Sequence, residues 1–281
     1  MKAGIWKDGE TGAAISEAEA LERLVASRAV LLGEQHDRPE DPLWQAAVLD
    51  RLGDLRDEIV VGFEMFPRSV QPALDAWVTG GVSLEEFLAA SRWSEVWGFD
   101  AGLYAPVFEV CRNRRLPMLA MNVERPVVSL VGRDGWAALP AAERDWLSPA
   151  RAAPPGHRRY LFDMTGGARP DRTARSPRDP VFDRFVRAQQ VWDRAFACAL
   201  AGALAARPAA LAVGILGRGH AEYGFGTPDQ LEDLGVAPVV VALPERPHPW
   251  PAPVDRPVAE LLYVHPMPDG DTGQADAPAR S

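Results

Sequence analysis

Residues 28–37 read Arg28-Ala29-Val30-Leu31-Leu32-Gly33-Glu34-Gln35-His36-Asp37. The first six form a short apolar run, which stops at a glycine followed by a cluster of polar groups. A strand with one wet face would alternate apolar and polar residues; an unbroken apolar strand is covered on both faces, as in a parallel sheet. Three more segments share this design: Glu58-Ile59-Val60-Val61-Gly62-Phe63, Leu116-Pro117-Met118-Leu119-Ala120-Met121 and Ala210-Leu211-Ala212-Val213-Gly214-Ile215-Leu216. Val236 to Leu243 supplies a fifth strand and Ala259 to Val264 a sixth.

Helical patterns separate these strands. Ser16 has the chemistry of an N-cap, with Glu19 at capping-box spacing ahead of Leu21, Leu24 and Val25. Pro42 to Leu55, Tyr104 to Arg115 and Val181 to Ala206 read as crossover helices. Strands alternating with helices predict an α/β fold, a mostly parallel β-sheet flanked by helices. Residues 69–100 and 126–180 break the alternation and are expected to form a helical cap inserted above the sheet. The plan is one α/β domain over residues 1–243, a proline-rich extended segment with an edge strand over 244–268, and a disordered tail over 269–281.

Composition narrows the function. The 281 residues carry a net charge of -9 and are 47% hydrophobic, with two cysteines. That length supports a core without metal or disulfide staples, and the acidic balance disfavours nucleic acid as a partner. Cys111 and Cys198 lack CxxC spacing and read as packing residues. The start, Met1-Lys2-Ala3-Gly4-Ile5-Trp6-Lys7-Asp8, is not followed by the apolar stretch of an export signal. The expected location is cytoplasmic as written, and periplasmic or membrane-associated if a leader has been removed.

Ligands of open α/β sheets bind outside the carboxyl ends of the strands. Those ends here are Gly33-Glu34-Gln35-His36-Asp37, Phe63-Glu64-Met65-Phe66, Asn122-Val123-Glu124-Arg125 and Gly217-Arg218-Gly219-His220-Ala221-Glu222-Tyr223-Gly224. With the strands as neighbours, Glu34, His36, Glu64, Asn122 and His220 converge on one rim. Two imidazoles with two carboxylates form a ligand set for a divalent metal ion or iron, or a general acid and base around a polarised carbonyl. The same groups also suit helix caps and structural hydrogen bonds. Trp93, Trp97, Phe99 and Tyr104, with Phe63 and Phe66 nearby, either pack a helical insertion onto the domain or wall a flat slot for a planar ligand. The Gly214–Gly219 stretch lacks the dinucleotide fingerprint, and neither a phosphate loop nor a GxSxG elbow is present.

At these residues the chain resembles the ChaN-like haem-binding proteins of bacterial iron uptake. The resemblance runs through Leu31-Leu32-Gly33-Glu34-Gln35-His36-Asp37, then Gly62-Phe63-Glu64-Met65-Phe66 with Arg68, Gln71 and Leu74-Asp75. It continues through Trp93, Trp97, Tyr104-Ala105-Pro106, Ala120-Met121-Asn122-Val123, Gln190-Val191-Trp192-Asp193, and Gly217-Arg218-Gly219-His220 followed by Gly226-Thr227-Pro228. It implies an α/β core with a helical cap, haem as ligand, a homodimer with haem between the subunits, and haem-transport proteins as partners. It also implies a distant relation to the erythromycin esterase and TraB/Tiki group, for which metal-dependent hydrolysis through Glu34, His36, Glu64 and His220 is the alternative activity. On the haem reading, Tyr104 and Tyr223 are the first candidates for axial ligands, and Trp97, Phe66, Arg68 and Asn122 are candidate contacts. Apart from Lys2 and Lys7 every basic residue is arginine, the better partner for a carboxylate in fixed geometry. Arg68, Arg92, Arg125 and Arg218 are therefore candidates to meet haem propionates.

Overall fold

The computed structural model describes residues 4–168, 171 and 173–266. The tail expected to be disordered, and the first three residues of the stretch searched for a leader, lie outside the described residues. The chain runs β1 (Ile5–Asp8), β2 (Ala14–Ile15), α1 (Glu17–Val25), β3 (Ala29–Glu34), α2 (Glu40–Leu55), β4 (Ile59–Pro67), α3 (Gln71–Thr79), α4 (Leu84–Ala90), α5 (Trp93–Val96) and α6 (Ala101–Arg114). It continues as β5 (Met118–Asn122), α7 (Arg125–Asp134), α8 (Pro155–Met164), α9 (Asp183–Ala206), β6 (Leu211–Gly217), α10 (Thr227–Asp233), β7 (Val239–Pro244) and β8 (Leu261–Val264).

One eight-stranded sheet results, in the order β2-β1-β8-β7-β3-β6-β4-β5. Strands β8 through β5 pair in parallel, and β1 joins β8 and β2 antiparallel. The fold is therefore α/β, as the sequence predicts. Leu261–Val264, expected at a sheet edge, lies inside the sheet. The N-terminal β1 pairs along its outer side, Trp6 opposite Tyr263.

Every residue of β3, β4 and β6 is buried. Strand side chains alternate between faces, and the core divides accordingly. Val30, Leu32, Val61, Phe63, Val213 and Ile215 join the cluster under α1–α4 and α6. Ala29, Leu31, Val60, Ala212 and Leu216 join the cluster under α7, α9 and α10. A smaller aromatic cluster of Tyr160, Phe162, Phe182, Tyr223 and Phe225 forms around α8. Cys111 is buried and Cys198 half-buried, both free thiols on helices. Among the described residues, no helix is long and apolar enough to cross a membrane.

The chain visits β3, β4 and β5 first and only later inserts β6 between β3 and β4. The carboxyl ends of these three strands thus meet where the order of the sheet departs from the order of the sequence. Such a departure leaves a crevice beyond the strand ends. A glycine lets the loops close over it. A Cβ on Gly33 would lie 2.3 Å from Leu243 Cδ2 and 3.1 Å from the Arg218 backbone.

Candidate functional site

The rim is built from the ends of β3, β6 and β4. Glu34 is the last residue of β3, and His36 follows in a turn held down by Asp41. The Asp41 carboxylate, itself buried, accepts from the Gln35 backbone at 2.9 Å, from Arg246 Nη2 at 2.6 Å and lies 2.9 Å from His265 Nε2. Glu64 sits where β4 slips register against β5, between Phe63 and Pro67. A slip of this kind re-aims the side chains beyond it. Asn122 bridges the slip by donating from Nδ2 to the Glu64 carbonyl at 2.7 Å. His220 lies in the 3₁₀ turn that follows β6.

These residues form two imidazole–carboxylate pairs around a central carboxylate. His36 Nδ1 is 2.8 Å from Glu34 Oε1, which also accepts from the Tyr104 hydroxyl at 2.7 Å. His220 Nδ1 is 2.7 Å from Asp193 Oδ1 on α9. Between the pairs, Glu64 Oε2 accepts from the Gly217 backbone N–H at 2.5 Å, while Oε1 is 3.6 Å from His220 Nε2. His36 reaches the same place from the other side. A Cβ on Gly217 would lie 3.0 Å from His36 Nε2 and 3.4 Å from Glu64 Oε2.

The electrostatics follow from this crowding. Burial penalises the charged form of His220, yet Glu64 and Asp193 together overcome it and raise its pKa to about 9. Burial likewise opposes a charged His36, but the bond to Glu34 and the field of Glu64 lift its pKa above the ordinary value. Glu34 is raised because burial outweighs the His36 and Tyr104 bonds that pull the other way. Its Oε2 is buried without a hydrogen-bond partner. Both imidazoles therefore hold protons readily near neutral pH, with buried carboxylates fixing their Nδ1 atoms.

A crevice of about 380 Å³ opens beside the pairs, floored by Glu64 and His220 and walled by Trp97, Trp192 and Asn122, with Arg92 and Arg125 also lining it. Trp97 and Phe99 hold the His36 ring, with centroids 4.7 and 5.4 Å away. The remaining candidates fall elsewhere. Phe66 is fully buried in the aromatic core with Phe87, Trp93 and Phe108. Tyr104 is fully buried behind Glu34, its pKa pushed far up by burial. Tyr223 packs in the cluster around α8 with Tyr160 and Phe225. Arg68 leans over Trp146, 4.8 Å from the ring centre, and Arg218 pairs with Glu222. Trp192 and Asp193 belong to the Gln190–Asp193 stretch of the resemblance, which assigns them no site role. Both come from α9, Asp193 from its buried face and Trp192 half-buried beside it.

The donor set can transfer protons to a bound group through either imidazole, or present an Nε2 lone pair once an imidazole is neutral. Among the described residues no group of three or more histidine, cysteine, aspartate or glutamate side chains is placed to hold a metal ion. Each Nδ1 is already committed to a carboxylate.

Residues 20–231 match the model of a family described as haem-binding uptake, Tiki superfamily, ChaN. Among solved structures the fold is similar to that of ChaN from Campylobacter jejuni, a protein described as binding haem cofacially. The TM-score is 0.71 at 18% identity, covering 94% of this chain and 97% of that one. An erythromycin esterase variant in its open conformation overlaps with a TM-score of 0.47 at 13% identity, over 92% of this chain and 83% of that one. A type III effector overlaps with a TM-score of 0.44 at 11% identity, over 79% of each chain. No curated protein matches the chain.

Proposed function

Since the chain belongs to the ChaN haem-binding uptake family, we propose that it binds haem as cargo in iron handling, at the crevice lined by Glu64 and His220, where the wall residue Trp97 packs on His36. Membership of that family carries the proposal, and the crevice supports it. A space of about 380 Å³ open to one side takes one part of a planar ligand without enclosing it. Trp97 and Trp192 offer flat walls, and Arg125 stands at the lining for a carboxylate, whereas Arg92 is held by Glu124 at 2.6 Å. A second copy of this chain is the proposed cover for the exposed side, under the helical insertion that carries Trp97. Haem-transport proteins are the proposed donors or acceptors.

For the iron donor we assign His36. Its side chain is 30% exposed, whereas the Tyr104 hydroxyl is engaged by Glu34 and Tyr223 lines a different cavity. A carboxylate on Nδ1 fixes the ring and makes Nε2 a stronger donor. Ligation needs a neutral ring, so binding releases a proton. Affinity should therefore rise with pH through the raised pKa of His36.

Gly217→Ala tests the packing of this ring. The new Cβ would lie 2.8 Å from His36 Cε1, forcing a ring with room to swing outward. The expected result is haemin binding weakened by about tenfold, while stability falls by no more than about 2 kcal/mol. Haemin affinity unchanged in this variant would separate His36 from the ligand.

One observation favours a second reading. Asp193, His220 and Glu64 lie in series, at 2.7 and 3.6 Å, and end in the crevice, an arrangement that suits a hydrolase with a metal-activated or base-activated water. Metal and haem content of protein purified without chelator separates the readings. Iron porphyrin is expected; a stoichiometric transition metal without porphyrin would favour hydrolysis.

A further inference from the structure

A second cavity of about 460 Å³ lies among the β3 turn, the turn after β6, α8 and the proline-rich exit from β7. It shares no lining residue with the crevice beside His220. Its floor is a buried network. Glu222, 1% exposed, accepts from Arg218 Nε on Oε1 and from the Tyr160 hydroxyl on Oε2 at 2.7 Å. Arg218 Nη1 also donates to the Pro244 carbonyl at 3.2 Å.

What remains around the cavity is a surplus of donors. Arg218 Nη2, Arg246 Nε and Trp250 Nε1 are buried without hydrogen-bond partners. His248 Nε2 is 3.4 Å from Glu222 Oε2 and also makes no hydrogen bond. Buried donors left in this state cost free energy, which an acceptor supplied by a ligand would recover. The acidic groups cannot play that part, because each is already engaged. Glu222 is held by Arg218 and Tyr160, Glu245 by Lys7 at 2.7 Å, and Asp41 by Arg246. Arg38 is the lining cation without an ion-pair partner among the described residues.

We propose that this cavity binds a small organic monocarboxylate. Arg38, free of any ion pair among the described residues, matches a single carboxylate, whose plane fits the fork of an arginine. A phosphate dianion would bring a second charge that the lining does not balance. The other walls are Met164, Pro247, Pro249 and the Trp250 ring, which suit an apolar body behind the carboxylate. Burial holds His248 below its ordinary pKa, so this imidazole is a neutral donor or acceptor at pH 7 and adds no charge.

The experiment follows the indole N–H resonance of Trp250 in haem-free protein, assigned with Trp250→Phe, during titration with benzoate. A saturable shift in the millimolar range is expected. Arg38→Gln, at an exposed position, should weaken it by about tenfold. Inorganic phosphate should bind more weakly than benzoate. No saturable shift, or the same affinity in Arg38→Gln, would overturn the site, and tighter binding of phosphate would overturn the carboxylate assignment. Prior saturation with haemin should leave the benzoate titration unchanged. Its abolition would show that the cavity belongs to the haem site and overturn a separate one.

Discussion

Replacing His220 with alanine is expected to lower stability at pH 7 by about 3–5 kcal/mol, a fall in melting temperature of roughly 10 °C. His220 lies between two nearly inaccessible carboxylates, with Asp193 2% and Glu64 9% exposed at the side chain. Truncation leaves both negative charges buried without their shared cation. The pH dependence gives a second signature. A histidine whose pKa rises from 6.5 to about 9 on folding stabilises fully below pH 6.5, and this stabilisation is lost as pH rises through 9. The shift corresponds to about 3 kcal/mol. Denaturant melts at pH 7 and pH 10 should show this alkaline loss in the wild type and not in His220→Ala. Equal stability of the two proteins at pH 7 would remove His220 from the network.

The second large effect concerns Glu34. Glu34→Gln keeps size and an acceptor for the Tyr104 hydroxyl, but removes the charge that polarises His36 Nδ1–H. Loss of a partner that orients a ligating imidazole weakens metal affinity by about 10–100-fold, and haemin binding should weaken by that range. The pKa of His36 should fall as well, because the Glu34 bond is the leading influence that raises it against the cost of burial. A haemin titration with parallel NMR titration of His36 Cε1–H reads both. Haemin affinity unchanged while the pKa of His36 falls would mean that iron is bound elsewhere.

Much of this was legible in the residues because burial writes itself into them. β3, β4 and β6 are buried on both faces, so their sequences are continuous apolar runs, and the polar groups that end them mark the rim. The short N-terminal strands were not legible. Ile5–Asp8 and Ala14–Ile15 mix apolar, charged and small residues, and β1 is ordered by pairing with β8, more than 250 positions away in the chain. That same pairing turns β8 from an edge into an interior strand.

The rim divides in the same way. Glu34 ends β3, Glu64 lies in the second half of β4, His36 and His220 follow β3 and β6 within three residues, and the structure brings all four together. Asp193 lies inside a 24-residue helix, far from any strand end. A signal for it did exist: it recurs with Val186, Gln190 and Ala197 on one helical stripe, and all four are buried. An acidic residue on a buried stripe needs a partner, and His220 supplies it. Aromatic spacing alone did not separate wall from core. Trp97 and Phe99 contact His36, whereas Phe66, Trp93 and Tyr104 pack inward. The direction of the Tyr104 hydroxyl, toward Glu34, depends on how α6 seats over the end of β3.

Titration of purified haem-free protein with haemin, followed at the Soret band, tests the central claim most directly. The account predicts a shifted band that saturates at a fixed stoichiometry, with His36→Ala losing that band under the same conditions. A spectrum indistinguishable from free haemin at stoichiometric concentration would contradict it.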